Sequence, residues 1–118
     1  MKCIALLLCA FSLLTAVERE GNFGIRFEPT AKLQTGVEVP FEIRINDALH
    51  KPLPDATVTL QIEMPDHSHL KVFPALAVSP GVYIAKPIFP VAGEWNLYVQ
   101  ARRNDEMTAR TILFNVPE

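Results

Sequence analysis

Apolar and polar side chains alternate with a period of two along most of the chain after residue 20. Three runs, residues 39–46, 57–64 and 94–101, show the pattern most clearly, with charged, amide or hydroxyl residues between the apolar ones. The apolar positions of these runs are Phe41, Ile43, Ile45, Val58, Leu60, Ile62, Met64, Trp95, Leu97, Val99 and Ala101. Because successive side chains of a strand point to opposite faces, each run predicts a strand with one buried face.

Weaker alternation predicts four further strands, at residues 23–28, 70–76, 82–89 and 108–116. The second of these should be short or lie at a sheet edge, because Pro74 has no amide donor for a ladder. Turn-forming residues separate the strands, with Asn104-Asp105 as a hairpin tip, and the ten prolines argue against long helices. About seven short strands with turns between them predict an all-β fold, an immunoglobulin-like antiparallel β-sandwich.

The core of this sandwich should form around the single tryptophan, Trp95, because a side chain of that size buries roughly 150–250 Å². We expect it to pack in the interior as a structural residue. Its expected neighbours are Phe41, Leu60, Ile62, Val82 or Ile84, Leu97 and Phe114.

The first sixteen residues have the layout of a secretory signal peptide. Lys2 is basic, residues 3–14 are apolar apart from Ser12, and Thr15-Ala16 supplies small residues before a polar stretch. The apolar run is shorter than the ~20 residues that span a bilayer, which favours cleavage over a permanent anchor. We therefore predict a signal peptide at 1–16 and a periplasmic or secreted domain at 17–118. An uncleaved leader and a lipid on Cys9 are the alternatives, and only these would attach the protein to a membrane.

Composition excludes several function classes. Cys3 and Cys9 both lie in the leader, so the exported domain should contain no disulfide and no cysteine metal site. The chain has 11 basic and 13 acidic residues, and Arg102-Arg103 is its one pair of adjacent basic residues. Because phosphate contacts need clustered positive charge, this distribution argues against nucleic acid as a partner. No glycine-rich phosphate loop is present, and Ser68 lies between two histidines whose side chains should point away from it. We expect no enzymatic activity.

The turn EMPDHSHL, residues 63–70, carries the candidate chemistry. In an extended segment His67 and His69 would point the same way and could share one ion, with Met64 as a thioether ligand and Asp66 as an oxygen ligand or an imidazole partner. Imidazole with thioether suits copper. Two other interpretations stay open: Met64 has the parity of the buried residues, and Pro65-Asp66 is ordinary turn chemistry.

A set of short motifs resembles a known family. The motifs are Gly36, Asp47 with 51–56 (KPLPDA), Met64-Pro65 followed by the turn 66–69, 80–83 (PGVY) and 93–95 (GEW). Over residues 30–102 the chain resembles the YtkA-like/FixH-like family of exported bacterial domains. The resemblance implies an immunoglobulin-like sandwich and a role in copper handling or in assembly of membrane oxidases. We therefore predict a small exported accessory domain that coordinates copper through the His/Met turn. The alternative is a metal-free interaction or assembly module that binds a protein of the cell envelope.

Overall fold

Eight strands make up the secondary structure of residues 19–118, the part of the chain that the computed structural model describes. They are β1 Arg19–Glu20, β2 Gly24–Pro29, β3 Phe41–Asn46, β4 Thr57–Glu63, β5 Lys71–Ser79, β6 Val82–Ala85, β7 Gly93–Arg103 and β8 Glu106–Val116. No helix occurs among these residues, and thus none that is long and apolar enough to cross a membrane. The predicted all-β class is confirmed, whereas the predicted leader, 1–16, lies outside the described residues.

Strand β5 joins two sheets. The strand order is β1-β8-β7-β4-β5-β6-β3-β2. The first half of β5 pairs with β4, from Ile62↔Lys71 to Val58↔Ala75, and the second half pairs with β6 from Leu76 onward, with a bulge between Ala77 and Ser79. The sheet therefore folds over at β5, and its two halves pack face to face as a sandwich. All pairings between these eight strands are antiparallel except that of β1 with β8.

The structure changes the length of two of the predicted strands. The segment 70–76, predicted to be short or at an edge, belongs to the nine-residue β5, and its residues 71–75 pair with β4 alone, so this half of β5 is the edge of the half-sheet that contains β4. The predicted edge position of Pro74 is thus confirmed, because proline is tolerated in edge strands. The strand predicted at 82–89 ends at Ala85, just before Lys86-Pro87.

The inward faces of both halves form one hydrophobic core. Trp95 is fully buried, as are Phe41, Leu60 and Leu97. Phe114 is half-buried, and its ring lies 5.4 Å from that of Phe41. The expectation for β6 was wrong: Tyr83 and Ala85 face the core, and Val82 and Ile84 lie on the outer face. All four residues of that strand are apolar or aromatic, so alternation could not show which of its two faces is buried.

Two motif segments interlock at one end of the sandwich. The Tyr83 hydroxyl donates to the Leu53 carbonyl oxygen at 2.7 Å and accepts from the Ala56 amide at 3.1 Å. Gly81 has a φ of +75°, and a Cβ placed there would lie 2.6 Å from the Cβ of Pro52. The loop 51–56 and the turn 80–83 therefore hold each other in position.

The strand registers divide the loops between two ends. The hairpin end holds the β7–β8 turn at Asn104-Asp105, the loop 47–56, the turn 80–81 and Arg19, the first described residue. The turn end holds residues 64–69 and Gly93, since Glu63 pairs with Asn96. His50, in the loop 47–56, therefore lies at the opposite end from His67 and His69.

Candidate functional site

The turn 64–69 is held by its own hydrogen bonds. The Met64 amide donates to the Ser68 carbonyl oxygen at 3.0 Å, and the His67 amide donates to the Met64 carbonyl oxygen at 2.8 Å. Asp66 Oδ1 accepts from the hydroxyl of Ser68 at 2.6 Å and from its amide at 3.0 Å. These bonds stabilise the carboxylate and lower the pKa of Asp66, the side-chain bond being the larger cause. Asp66 is thus engaged in turn formation.

The histidines have left-handed backbone conformations. His67 and His69 have φ values of +68° and +59°. The loop 47–51 repeats the hydrogen bonds of the turn, with Asp47 and His50 in the places of Met64 and His67, and His50 has a φ of +65°. Short hairpin loops usually place glycine or asparagine in this conformation, because a Cβ is strained there. All three histidines of the chain therefore occupy strained positions.

The imidazoles of His67 and His69 contact opposite faces of the sheet. His67 Nδ1 lies 3.1 Å from Oε2 of Glu63, which belongs to the outer face of β4, and its side chain is 85% exposed. The ring of His69 lies 6.0 Å from that of Trp95, which faces the core. The sequence argument assumed an extended segment, in which alternate residues point the same way. Left-handed residues break that alternation, and coordination by both rings requires the turn to rearrange.

Met64 packs inward. It is half-buried against the hydrophobic core, and a Cβ on Gly93 would lie 3.0 Å from its Cε. The glycine of the GEW motif thus leaves room for the thioether methyl group. Within residues 19–118, no three His, Cys, Asp or Glu side chains are grouped so that they could hold a metal ion.

Sequence reasoning missed an apolar surface on β5. Val72, Leu76 and Val78 point outward and are 51%, 68% and 61% exposed. Leu76 and Val78 line a groove of about 410 Å³, which we call the β5 groove, together with Pro74, Ile84, Lys86 and Phe73, whose side chain packs partly against the core. The sequence did carry a sign of this surface, because residues 72–78 are apolar at even and odd positions alike, so both faces of the strand are apolar. A strand with one solvated face normally carries polar residues on that face.

A second groove adjoins the first at the turn end. This turn groove has a volume of about 290 Å³ and is lined by Ile62, His69, Leu70, Lys71, Phe73, Ile88 and Pro90. Phe73 lines both grooves. Because they share this residue, we refer to the two grooves together as the apolar depression beside β5; His69 lines its turn end.

Comparison with known proteins gives one family. The sequence model of a family described as YtkA-like matches residues 18–100. This match takes in β1 to β6 and most of β7. No curated protein matches the chain.

Proposed function

The chain belongs to the YtkA-like family, and on that premise we propose that it is a non-catalytic accessory domain of the bacterial cell envelope that binds a protein partner through the β5 groove. Family membership indicates the accessory role. The partner, the site and the location outside the cytoplasm are parts of the proposal.

The observation that carries the proposal is the exposure of Leu76 and Val78 in the groove. Contiguous apolar surface on a soluble domain is costly in water, and it commonly marks an interaction site. These side chains also stand on a rigid support, since the β5 backbone is paired with β4 along one half and with β6 along the other. A preformed apolar groove on a rigid support reduces the ordering cost of binding.

A photo-crosslinking side chain at position 76 tests this proposal in cells that produce the protein. Leu49 provides a matched control, because it is 73% exposed but lies at the hairpin end. We expect a discrete crosslinked protein from position 76 and none from position 49. Leu76→Glu should abolish co-purification of that protein while leaving the melting temperature unchanged. Identical crosslinking patterns from both positions would refute the groove as the binding site.

We keep copper coordination by the turn as a second, narrower proposal, with His67, His69, Met64 and Asp66 as its ligands. One observation supports it: the Glu63 carboxylate at His67 Nδ1 is the kind of partner that orients a metal-binding imidazole and leaves Nε2 available. The inward packing of Met64 and the divergence of the two rings make it weaker than the interaction proposal.

Titration with Cu(I) and Cu(II) decides the copper proposal. The domain should bind stoichiometrically, and the double variant His67→Ala/His69→Ala should lose that binding. His50→Ala is the control, because His50 has the same backbone conformation at the opposite end. Equal copper uptake by the double variant and the parent would reject the turn as a copper site and leave the groove proposal untouched.

A further inference from the structure

Basic groups border the two grooves on β5. Lys86 lines the β5 groove, and Lys71 and His69 line the turn groove. No aspartate or glutamate lines either groove, although the chain as a whole has 13 acidic residues and a formal charge of −2. The apolar depression therefore has positive charge at its borders in a protein that is otherwise weakly acidic.

The two lysines also differ from three arginines of the domain in forming no ion pair with a carboxylate. Arg19, Arg44 and Arg103 lie 3.2, 3.1 and 3.6 Å from acidic side chains. Within residues 19–118, neither Lys71 nor Lys86 forms an ion pair, and the Nζ of Lys71 lies 5.6 Å from the centre of the Phe73 ring. Both ammonium groups are available to a carboxylate from outside the chain.

From this charge distribution we infer that the groove's partner, on the proposed function above, is an extended protein segment in which apolar side chains alternate with carboxylates. Its apolar side chains fill the depression between Leu76 and Phe73, and its acidic side chains meet Lys86 and Lys71. Attraction between the lysines at the border and the carboxylates of the partner then selects the partner and the direction in which its segment binds.

Other occupants fit these charges less well. A second copy bound face to face would bring lysines to an interface that supplies no carboxylate. An anionic membrane surface is usually recognised by clusters of about four to eight basic residues, and the grooves offer two lysines and one histidine. Anionic vesicles are nevertheless included below as a separate arm.

Fluorescence anisotropy with short labelled peptides tests the inference. A peptide that alternates leucine with glutamate should bind, and its affinity should fall as salt rises. Peptides that alternate leucine with lysine, or serine with glutamate, should bind at least roughly tenfold more weakly. Lys71→Glu and Lys86→Glu should each weaken the leucine–glutamate peptide roughly fivefold to tenfold. Lys51→Glu, which changes an exposed lysine at the hairpin end, should not alter binding.

The remaining outcomes separate this inference from the function on which it rests. Equal binding of the glutamate and lysine peptides, with both lost in Leu76→Asp, would keep the groove and overturn the charge selection. Failure of every peptide, or binding to phosphatidylglycerol vesicles alone, would overturn the inference. The crosslink from position 76 would still decide the proposed function. Circular dichroism of each variant is the control that distinguishes a loss of binding from a loss of folding.

Discussion

At the scale of single residues, the most unusual feature is the conformation of the histidines. A Cβ in the left-handed region costs roughly 1–2 kcal/mol, and His50, His67 and His69 all lie there. Sequence could not show this, because the usual signal for a positive φ is glycine or asparagine. The sequence did indicate the role of Asp66 in the turn, where its carboxylate accepts a hydrogen bond from the nearby backbone, as aspartate commonly does.

Replacing His67 with glycine should stabilise the domain by about 0.5 kcal/mol. Glycine removes the left-handed strain, which outweighs its larger entropy in the unfolded chain. The side chain that is lost is 85% exposed, and its interaction with Glu63 is worth about 0–1 kcal/mol. Urea unfolding measures the change. His67→Ala is the control and should show no gain, and a glycine variant less stable than the alanine variant would contradict the argument.

The carboxylate of Asp66 should make the free energy of unfolding depend on pH in the acidic range. Its pKa is lowered in the folded state, so its contribution is fully present above the unfolded value, near pH 4, and is lost as pH falls through the folded value. Asp66→Asn should therefore lose less stability than the parent between neutral pH and about pH 3. Denaturant midpoints across this range provide the measurement, and parallel losses in the two proteins would rule out the effect.

At the scale of elements, the motifs work in pairs that meet across the fold. The loop 51–56 meets the turn 80–83 through Tyr83 and Gly81, and the turn 64–69 meets Gly93 and Trp95. These pairings give a structural reason for the motif set identified in the sequence. Alternation predicted β3, β4 and β7 because polar residues mark one face. It failed for β5 and β6, where both faces carry apolar side chains.

Gly81→Ala should destabilise the domain far more than Gly36→Ala. Both glycines have positive φ, +75° and +78°, so both substitutions carry the same backbone strain of about 1 kcal/mol. Only the Cβ at position 81 meets another part of the chain, Pro52, whereas nothing lies within 4 Å at position 36. We expect a further roughly 1–3 kcal/mol for this overlap, by analogy with overpacking. Similar unfolding free energies for the two variants would show that the loop moves aside freely.

At the scale of the whole molecule, β5 makes two sheets into one cooperative unit. Its first half completes the half-sheet containing β4 and β7, and its second half completes the half-sheet containing β3 and β6. Neither half can lose β5 without exposing the shared core around Trp95 and Phe41. The sequence indicated two facing sheets, but it could not show that one strand serves both, because a change of pairing partner within a strand leaves no periodic signal.

The domain should consequently unfold in a single transition. Trp95 is the only tryptophan and is fully buried, so its fluorescence reports the packing between the sheets, whereas far-ultraviolet circular dichroism reports the strands themselves. The two signals should give the same urea midpoint. Leu60→Ala should lower both midpoints equally, with a loss of about 2–5 kcal/mol. Loss of fluorescence at lower urea than loss of dichroism would mean that the sheets separate before they unfold.

The two ends of the sandwich also set how the protein is presented to its surroundings. Arg19, the first residue that the structure describes, lies beside Asp105, and the turn carrying His67 lies at the other end of the strands. β4 alone, with seven residues, separates these ends by roughly 23 Å. A partner that binds the turn and one that contacts Arg19 would therefore approach the domain from opposite ends.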